Sequence, residues 1–317
     1  MTAAELRQRL RHVGIWMPPP ERAGIDPAKT AAAIEGAGFT SVWVGGGNAT
    51  PDALDRLRPL LTGSENLIVA TGIANVWAWD PARLRAAAAA LAADFPDRFI
   101  LGLGVSHQPV NDALAIDMSN APADLDRYVL AVRDWLDGKG PTTHLPQQPA
   151  PAGVPIYIAT LSLAAVERAA QIADGIMPTM WSPERVTQAA ARAGHGRAQA
   201  PHLPPLDITL GLPTFIGDDL DSLRDLARQN LGLYTAFPYF QRMWRESGFG
   251  AEADQMEKGA GPAALSDRLL DSFCLFGPVA RCQARLAAYR AAGVALPILN
   301  PPIGPGAALA VIRAFGE

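Results

Sequence analysis

The sequence has few of the residues that cross-link a chain or bind a metal ion. Only two cysteines occur, Cys274 and Cys282, and their spacing fits neither a zinc motif nor a secreted disulfide framework. The five histidines are scattered and show neither an HxH nor an HExxH pattern. We therefore expect two buried free thiols, a reducing cytoplasm and no metal site.

Basic residues and long apolar runs are also scarce. Lysine occurs at only three positions, no run of basic residues is present and the net charge is −4, so no nucleic-acid partner is expected. No segment reaches the roughly 18 consecutive apolar residues of a membrane-spanning helix. With 49% apolar and 18% charged residues, the composition predicts a cytoplasmic globular protein that folds as one domain over residues 1–317.

Short apolar runs alternate with helical runs along the chain. Eight of them are predicted to be strands: 12–18, 39–45, 66–75, 99–106, 155–161, 174–180, 206–217 and 295–302. Their continuous apolar character is typical of parallel strands that are covered on both faces. Eight β/α units in about 300 residues predict an α/β fold, a (β/α)8 TIM barrel with insertions after strands 4 and 7. An open doubly wound sheet is the alternative, but the glycine fingerprint expected after its first strand is absent.

The insertions occupy about 107–121 and 237–265, and the stretch 236–261 is predicted to be irregular. Both lie on the face where barrel strands end and where barrel enzymes carry their chemistry. The strand ends here offer glycine, small residues, tryptophan and asparagine, without paired carboxylates or a Schiff-base lysine. Such a lining of backbone N–H groups and flat apolar walls suits a planar cofactor that brings its own chemistry.

Two neighbouring strand ends predict a phosphate site. The stretch IATLS (158–162) directly precedes a helix, whose first N–H groups and dipole favour an anion. Thr179 ends the next strand, and adjacent late loops of barrels commonly hold one phosphate. In the alternative interpretation, Ser162 is only a helix N-cap.

An ordered set of stretches resembles the luciferase-like monooxygenase superfamily, in particular its coenzyme F420-dependent branch of actinobacterial oxidoreductases. The stretches are FTSVWVGG, LIVATGIANVWAWDP, DRFILGLGVSHQP, IYIATLS and GPVARCQARLAAYRAAGVALPIL. They follow the family's order from about residue 12 to about residue 300. The resemblance implies a TIM barrel, F420 or alternatively FMN as cofactor, a small-molecule substrate and a homodimer.

The resemblance also implies roles for individual residues. The family has a bulge with a non-prolyl cis peptide behind the cofactor ring, and the matching bond here is Gly72–Ile73. Gly72 is expected to remove a Cβ that would crowd the bend. The glycines at positions 102 and 104 have two possible explanations, which are close packing at the barrel rim and room for the cofactor ring. The residues assigned to the cofactor are Gly45, Gly46, Gly72, Ile73, Gly104, Val105, Ser106, Ala159, Thr160, Leu161, Ser162 and Thr179.

Two side chains are nominated for catalysis. His107 is assigned beside the ring and titrates near neutral pH, and Asn75 is expected to hydrogen-bond the ring or the substrate. For His107, a substrate-orienting or merely solvated role is the alternative. An apolar pocket is predicted, lined by Trp16, Trp77 and Trp181, with Phe215, Tyr239 and Trp244 as further candidates.

This chain departs from its relatives at two positions. Relatives often carry an acidic or histidine side chain after strand two, where this chain has Gly45–Asn48, and sometimes a phosphate-binding lysine where this chain has Ser182. The function predicted is hydride transfer between F420 and an organic, hydrophobic substrate. An FMN-dependent monooxygenase and a non-catalytic ligand-binding barrel are the alternatives.

Overall fold

Parallel strands close into a barrel in the computed structural model, which describes residues 3–10, 12–20, 24–45, 54–136, 153–303 and 307–316. The strands are β1 (Gly14–Met17), β2 (Ser41–Val44), β3 (Ile68–Thr71), β4 (Ala74–Asn75), β5 (Phe99–Gly104), β6 (Ile156–Ile158), β7 (Gly175–Ile176), β8 (Asp207–Ile216), β9 (Leu275–Gly277) and β10 (Leu296–Asn300). Strand β10 pairs with both β1 and β8, which closes a ring of eight strands that excludes β4 and β9. The predicted TIM barrel is confirmed.

Helices surround this barrel. They are α1 (Ala3–Arg9), α2 (Pro27–Gly36), α3 (Arg58–Thr62), α4 (Pro81–Asp94), α5 (Gln108–Ala113), α6 (Ala121–Leu136), α7 (Leu163–Ile172), α8 (Pro183–Ala198), α9 (Leu220–Leu231), α10 (Pro238–Glu246), α11 (Gly250–Glu257), α12 (Asp267–Phe273), α13 (Val279–Ala292) and α14 (Ala307–Phe315). Asp26, Asp80 and Asp219 cap α2, α4 and α9 by accepting hydrogen bonds from N–H groups of the first turn.

The barrel interior is filled by a compact apolar cluster. Its buried members are Leu6, Leu10, Trp43, Ile68, Ala70, Ile100, Tyr157, Leu296 and Ile298. Leu6 lies in α1 and Leu10 directly follows it, so the N-terminal helix closes the end of the barrel where the strands begin. Arg7 Nε donates to the Asp207 carboxylate at 2.5 Å, and the Tyr157 hydroxyl donates to the same carboxylate at 2.8 Å. Asp207 begins β8, so these bonds hold α1 to the barrel.

Four of the observed elements differ from the sequence expectation. Helix α1 and strand β9 were not predicted, and β9 extends the sheet by pairing with the far end of β8. The prediction that 236–261 is irregular is wrong, because α10 and α11 both lie within it. The spacing of Phe240, Met243 and Trp244, which are buried on one face of α10, is a helical signal that could have been read.

Two further sequence expectations concern cysteines and membranes. Cys274 and Cys282 are buried and free, as predicted, and burial raises the pKa of Cys282 to about 11. Within the described residues, no helix has the length and apolarity needed to cross a membrane.

Candidate active site

The third barrel strand is interrupted at the barrel mouth. Strand β3 ends at Thr71, the Gly72–Ile73 peptide bond is cis, and β4 resumes the pairing with β5 at Ala74. The Thr71 hydroxyl donates to the Gly102 carbonyl oxygen and accepts from the Gly102 N–H, both at 2.8 Å. The predicted cis bond is confirmed, and a side chain rather than the backbone ladder bridges the interruption.

The space available for a side chain differs among the three glycines around this interruption. A Cβ on Gly102 would lie 2.0 Å from the Thr71 carbonyl oxygen, and one on Gly104 would lie 3.0 Å from Ala159 Cβ and 3.2 Å from Ile73 Cγ1. Close packing therefore explains Gly102 and Gly104. A Cβ on Gly72 would meet no atom nearer than 3.7 Å, so the expectation that it would crowd the bend is wrong. Gly72 and Ile73 are half-buried.

Asn75 belongs to a buried amide network. Its Nδ2 donates to Asn111 Oδ1 at 2.9 Å, and its Oδ1 accepts from the Trp77 N–H at 3.2 Å. Asn111 is fully buried and donates in turn to the Val105 carbonyl oxygen at 2.6 Å. Sequence reasoning missed Asn111, although a polar residue inside a short helix next to a strand end is a usable signal. The network ties β4, α5 and the end of β5 together.

Two non-glycine residues at strand ends adopt left-handed backbone conformations. Ser106 follows β5 with φ of 57°, and Met180 follows β7 with φ of 51°. Each such residue costs on the order of 1–2 kcal/mol in an L-amino acid. Positions of this kind cluster at binding and catalytic sites, and Ser106 immediately precedes His107.

Aromatic rings at and just before the start of the second insertion surround His107. Its ring stacks on Phe237 at 5.2 Å and on Tyr239 at 6.0 Å between centroids, and Tyr234 meets it edge-on at 6.1 Å. His107 Nδ1 lies 2.8 Å from the Tyr239 hydroxyl oxygen. The histidine still reaches solvent at the barrel mouth. Burial by the neighbouring rings lowers the pKa of His107, so the imidazole is neutral at neutral pH.

The lowered pKa of His107 predicts a pH-dependent stability. The unfolded chain takes up this proton at a higher pH than the folded protein does, so protonation favours unfolding. The free energy of unfolding is therefore expected to fall as pH drops through the window below the ordinary imidazole value of about 6.5. Urea unfolding at several pH values should show a shallower fall for His107→Gln, and equal slopes for the two proteins would contradict this assignment.

The predicted phosphate segment lies between β6 and α7. Ala159 N–H donates to the Leu103 carbonyl oxygen at 2.8 Å, and the Thr160 hydroxyl accepts from the Ser162 N–H at 3.1 Å. Ser162 occupies the N-cap position of α7, yet its hydroxyl makes no capping hydrogen bond and is exposed. The first turn of α7 is thus free of the side-chain cap that Ser182 gives to α8.

A buried arginine is hydrogen-bonded to the backbone of this segment. Arg185 is only 3% exposed, and its Nη2 donates to the Leu161 carbonyl oxygen at 2.8 Å and to Glu246 Oε2 at 2.9 Å. Sequence reasoning missed Arg185, because its partners lie on other elements. Its guanidinium thereby holds the carbonyl end of the predicted phosphate segment to α10.

Thr179 lies three residues beyond β7 and forms an isolated bridge with Gly211 of β8. Its hydroxyl donates to the Gly211 carbonyl oxygen at 3.1 Å. The Asn300 amide lies close to Gly211 as well, and Asn300 Oδ1 is buried without a hydrogen-bond partner in the described part of the chain. Thr179 is half-buried.

Two of the three predicted pocket tryptophans border the barrel mouth. Trp16 is half-buried, and a Cβ on Gly45 would lie 2.4 Å from its indole. The absence of a side chain on Gly45 therefore makes room for Trp16. Trp77 is half-buried and donates from Nε1 to Asp124 at 3.1 Å, which fastens it to α6.

The other aromatic side chains predicted to line the pocket differ in how far they are buried. Trp181, Phe215 and Trp244 are each at most 1% exposed. Their rings present no surface to a ligand, contrary to the expectation that they line a pocket. Tyr239 is half-buried at the mouth. Gly46, also assigned to the cofactor, lies outside the described residues.

No group of three or more His, Cys, Asp or Glu side chains among the residues described here is arranged to hold a metal ion. The site consists of an interrupted strand, backbone groups at adjacent strand ends, a buried arginine and one neutral histidine among aromatic rings. Such a lining offers surfaces and hydrogen-bond donors that can orient a bound molecule.

The luciferase-like monooxygenase family model matches residues 18–296, so the chain belongs to that family. The 5,10-methylenetetrahydromethanopterin reductase of Methanolobus tindarius is 24% identical over 295 residues, covering 88% of this chain and 90% of the relative.

Solved structures show the same fold in proteins with two different cofactors. The coenzyme F420-dependent tetrahydromethanopterin reductase of Methanopyrus kandleri is 16% identical with a TM-score of 0.78, covering 96% of this chain and 97% of that one. The oxygenating constituent of the Pseudomonas putida 3,6-diketocamphane monooxygenase, in complex with FMN, is 14% identical with a TM-score of 0.69, covering 96% of each chain.

Proposed function

We propose that this protein is an F420-dependent oxidoreductase that transfers a hydride between the deazaflavin and a hydrophobic organic substrate. The interruption at Gly72–Ile73 is the observation that carries the proposal. Gly102 and Gly104 are explained by packing, whereas a Cβ on Gly72 would make only ordinary contacts of 3.7 Å with Met177, Trp43 and Val44. A flat ring that rests against the interrupted strand accounts for a glycine that the packing of the protein does not itself require.

The residues of the site fit such a cofactor. Ile73 and the segment 104–106 offer backbone groups and small surfaces to a ring. The segment 159–162 and Thr179 offer N–H and hydroxyl donors to a phosphate, with the charge of Arg185 behind them. When bound, F420 supplies a ring carbon that gives or takes a hydride.

The contribution of the chain itself is positioning. The Asn75–Asn111 network fixes the end of β5, where the segment 104–106 and His107 lie. The rings of Phe237 and Tyr239 stack on His107 and fix the orientation of the imidazole. Holding two reactants in place can remove about 7–11 kcal/mol of a bimolecular barrier.

Binding of F420 tests the proposal directly. Purified protein is expected to quench F420 fluorescence with a dissociation constant in the micromolar range or below. A parallel titration with FMN is the control for general flavin affinity. Quenching of F420 with weaker FMN binding supports the proposal, and no quenching at cofactor excess contradicts it.

The same titration addresses the alternatives. An FMN-dependent monooxygenase is favoured by the similar fold of the diketocamphane enzyme, and tight FMN binding with a flavin spectrum would support it. F420 binding without turnover of any alcohol or carbonyl compound would support the non-catalytic barrel. A homodimer is part of the proposal, and light scattering of the purified protein measures it.

A further inference from the structure

His107 has two ring nitrogens, and the protein uses one of them. Nδ1 lies 2.8 Å from the Tyr239 hydroxyl oxygen, and Nε2 has no hydrogen-bond partner among the described residues. A neutral imidazole carries its proton on one nitrogen only. The partner of Nδ1 therefore decides whether Nε2 is a donor or an acceptor.

The acid and base strengths of the two groups decide the direction of this bond. A phenol is a far stronger acid than the N–H of a neutral imidazole, and an imidazole nitrogen is a far stronger base than a phenol oxygen. The Tyr239 hydroxyl therefore donates to His107 Nδ1 across the 2.8 Å contact. The hydroxyl proton is then available to His107 Nδ1, and the imidazole proton lies on Nε2.

The surroundings keep both partners neutral at neutral pH. The titratable groups that face the imidazole are the phenols of Tyr234, in the 310 turn Gly232–Ala236, and Tyr239, in α10. Burial raises the pKa of both phenols and lowers the pKa of His107. On α5 itself, the carboxylate of Asp112 accepts from the Gln108 side chain at 2.6 Å, and burial is the one cause of the His107 shift.

We propose that Tyr239 is a positioning residue that holds His107 in the Nε2–H tautomer, so that His107 offers a neutral hydrogen-bond donor at the barrel mouth. A substrate that places an oxygen acceptor there, such as a carbonyl or a carboxylate, gains a hydrogen bond. A substrate that can only donate at this position is disfavoured, because two donors face each other. This consequence for substrate choice rests on the proposed function, whereas the tautomer itself does not.

Nitrogen NMR of the cofactor-free protein measures the tautomer. In long-range 1H–15N spectra of 15N-labelled protein at neutral pH, the His107 signals are identified by their loss in His107→Gln. We expect Nε2 at the position of a protonated, pyrrole-type nitrogen and Nδ1 at that of a hydrogen-bonded, pyridine-type nitrogen. A proton on Nδ1 in the wild-type protein would overturn the proposal.

Two tyrosine variants separate positioning from packing. Tyr239→Phe keeps the ring but removes the hydroxyl, so the Nδ1 signal should move to that of a pyridine-type nitrogen without a hydrogen bond. Tyr234→Phe is the matched control. The ring of residue 234 contacts the same imidazole edge-on, and removal of its hydroxyl should leave both nitrogen signals in place. Unchanged signals in Tyr239→Phe would also overturn the proposal. The NMR experiment needs no cofactor, so it can be carried out even if the protein does not bind F420. Failure of the tautomer proposal is therefore distinguishable from failure of the proposed function.

Discussion

Gly102→Ala is expected to abolish folding, whereas Gly72→Ala is expected to leave the fold intact and to weaken cofactor binding. The Cβ added at Gly102 would lie 2.0 Å from the backbone carbonyl oxygen of Thr71. Backbone atoms there cannot move without breaking the two bonds between Thr71 and Gly102. We expect a loss of more than about 4 kcal/mol in the free energy of unfolding, at the extreme of single substitutions.

The Gly72 variant tests the site rather than the fold. Gly72 does not adopt a left-handed conformation, and an added Cβ would meet its neighbours at ordinary contact distances of 3.7 Å. Alanine should therefore fit the cofactor-free protein, with a stability change within about 0.5 kcal/mol. If a ring rests against this position, the methyl group separates the two surfaces, and F420 affinity is expected to fall by about tenfold, or 1.4 kcal/mol.

Two measurements decide between these outcomes. Urea unfolding and circular dichroism report the fold of each variant, and fluorescence quenching reports F420 affinity. Gly104→Ala is an intermediate control, because Ile73 and Ala159 need shift by only a few tenths of an ångström to admit its Cβ. Wild-type affinity in a folded Gly72→Ala protein would show that no ring lies against the interruption. A stable Gly102→Ala protein would contradict the packing argument.

Arg185→Met is expected to destabilise the protein and to loosen the predicted phosphate segment. The guanidinium is buried and bonds to both the Leu161 carbonyl oxygen and Glu246. Methionine fills most of the volume but leaves the carbonyl oxygen without its donor, and hydrogen bonds of charged groups contribute about 1.5–3 kcal/mol each. Glu246 is half-exposed and regains water, so we expect a net loss of about 2–3 kcal/mol, with weaker F420 binding.

Glu246→Gln separates the two bonds of Arg185. It removes the charge of the exposed partner but leaves the bond to Leu161, so its cost is expected to stay below about 1 kcal/mol. F420 affinity should then be near that of the wild type. Equal losses of affinity in Glu246→Gln and Arg185→Met would show that the ion pair, and not the bond to Leu161, supports the segment. Urea unfolding and fluorescence titration measure both effects.

The sequence predicted the barrel and the interruption more fully than it predicted the site. The eight strands were recognisable, and resemblance placed the cis bond at Gly72–Ile73, where the structure has it. The pairs that shape the site were not recognisable. Asn75 and Asn111 are 36 residues apart, and His107 and Tyr239 are 132 apart. A hydrogen bond between distant residues leaves no periodic pattern in one sequence.

By itself, the sequence determined the order of strands and helices. A strand that is covered on both faces must be apolar throughout, and an aspartate before a helical run stabilises the first turn of the helix. Both features depend on neighbouring residues only, so they can be recognised in the sequence. Only the tertiary structure decided which side chains remain available at the mouth. Trp181 and Trp244 are covered whereas Trp16 and Tyr239 are not. Burial depends on what other parts of the chain pack against a residue, and that is set by the closed barrel and its insertions.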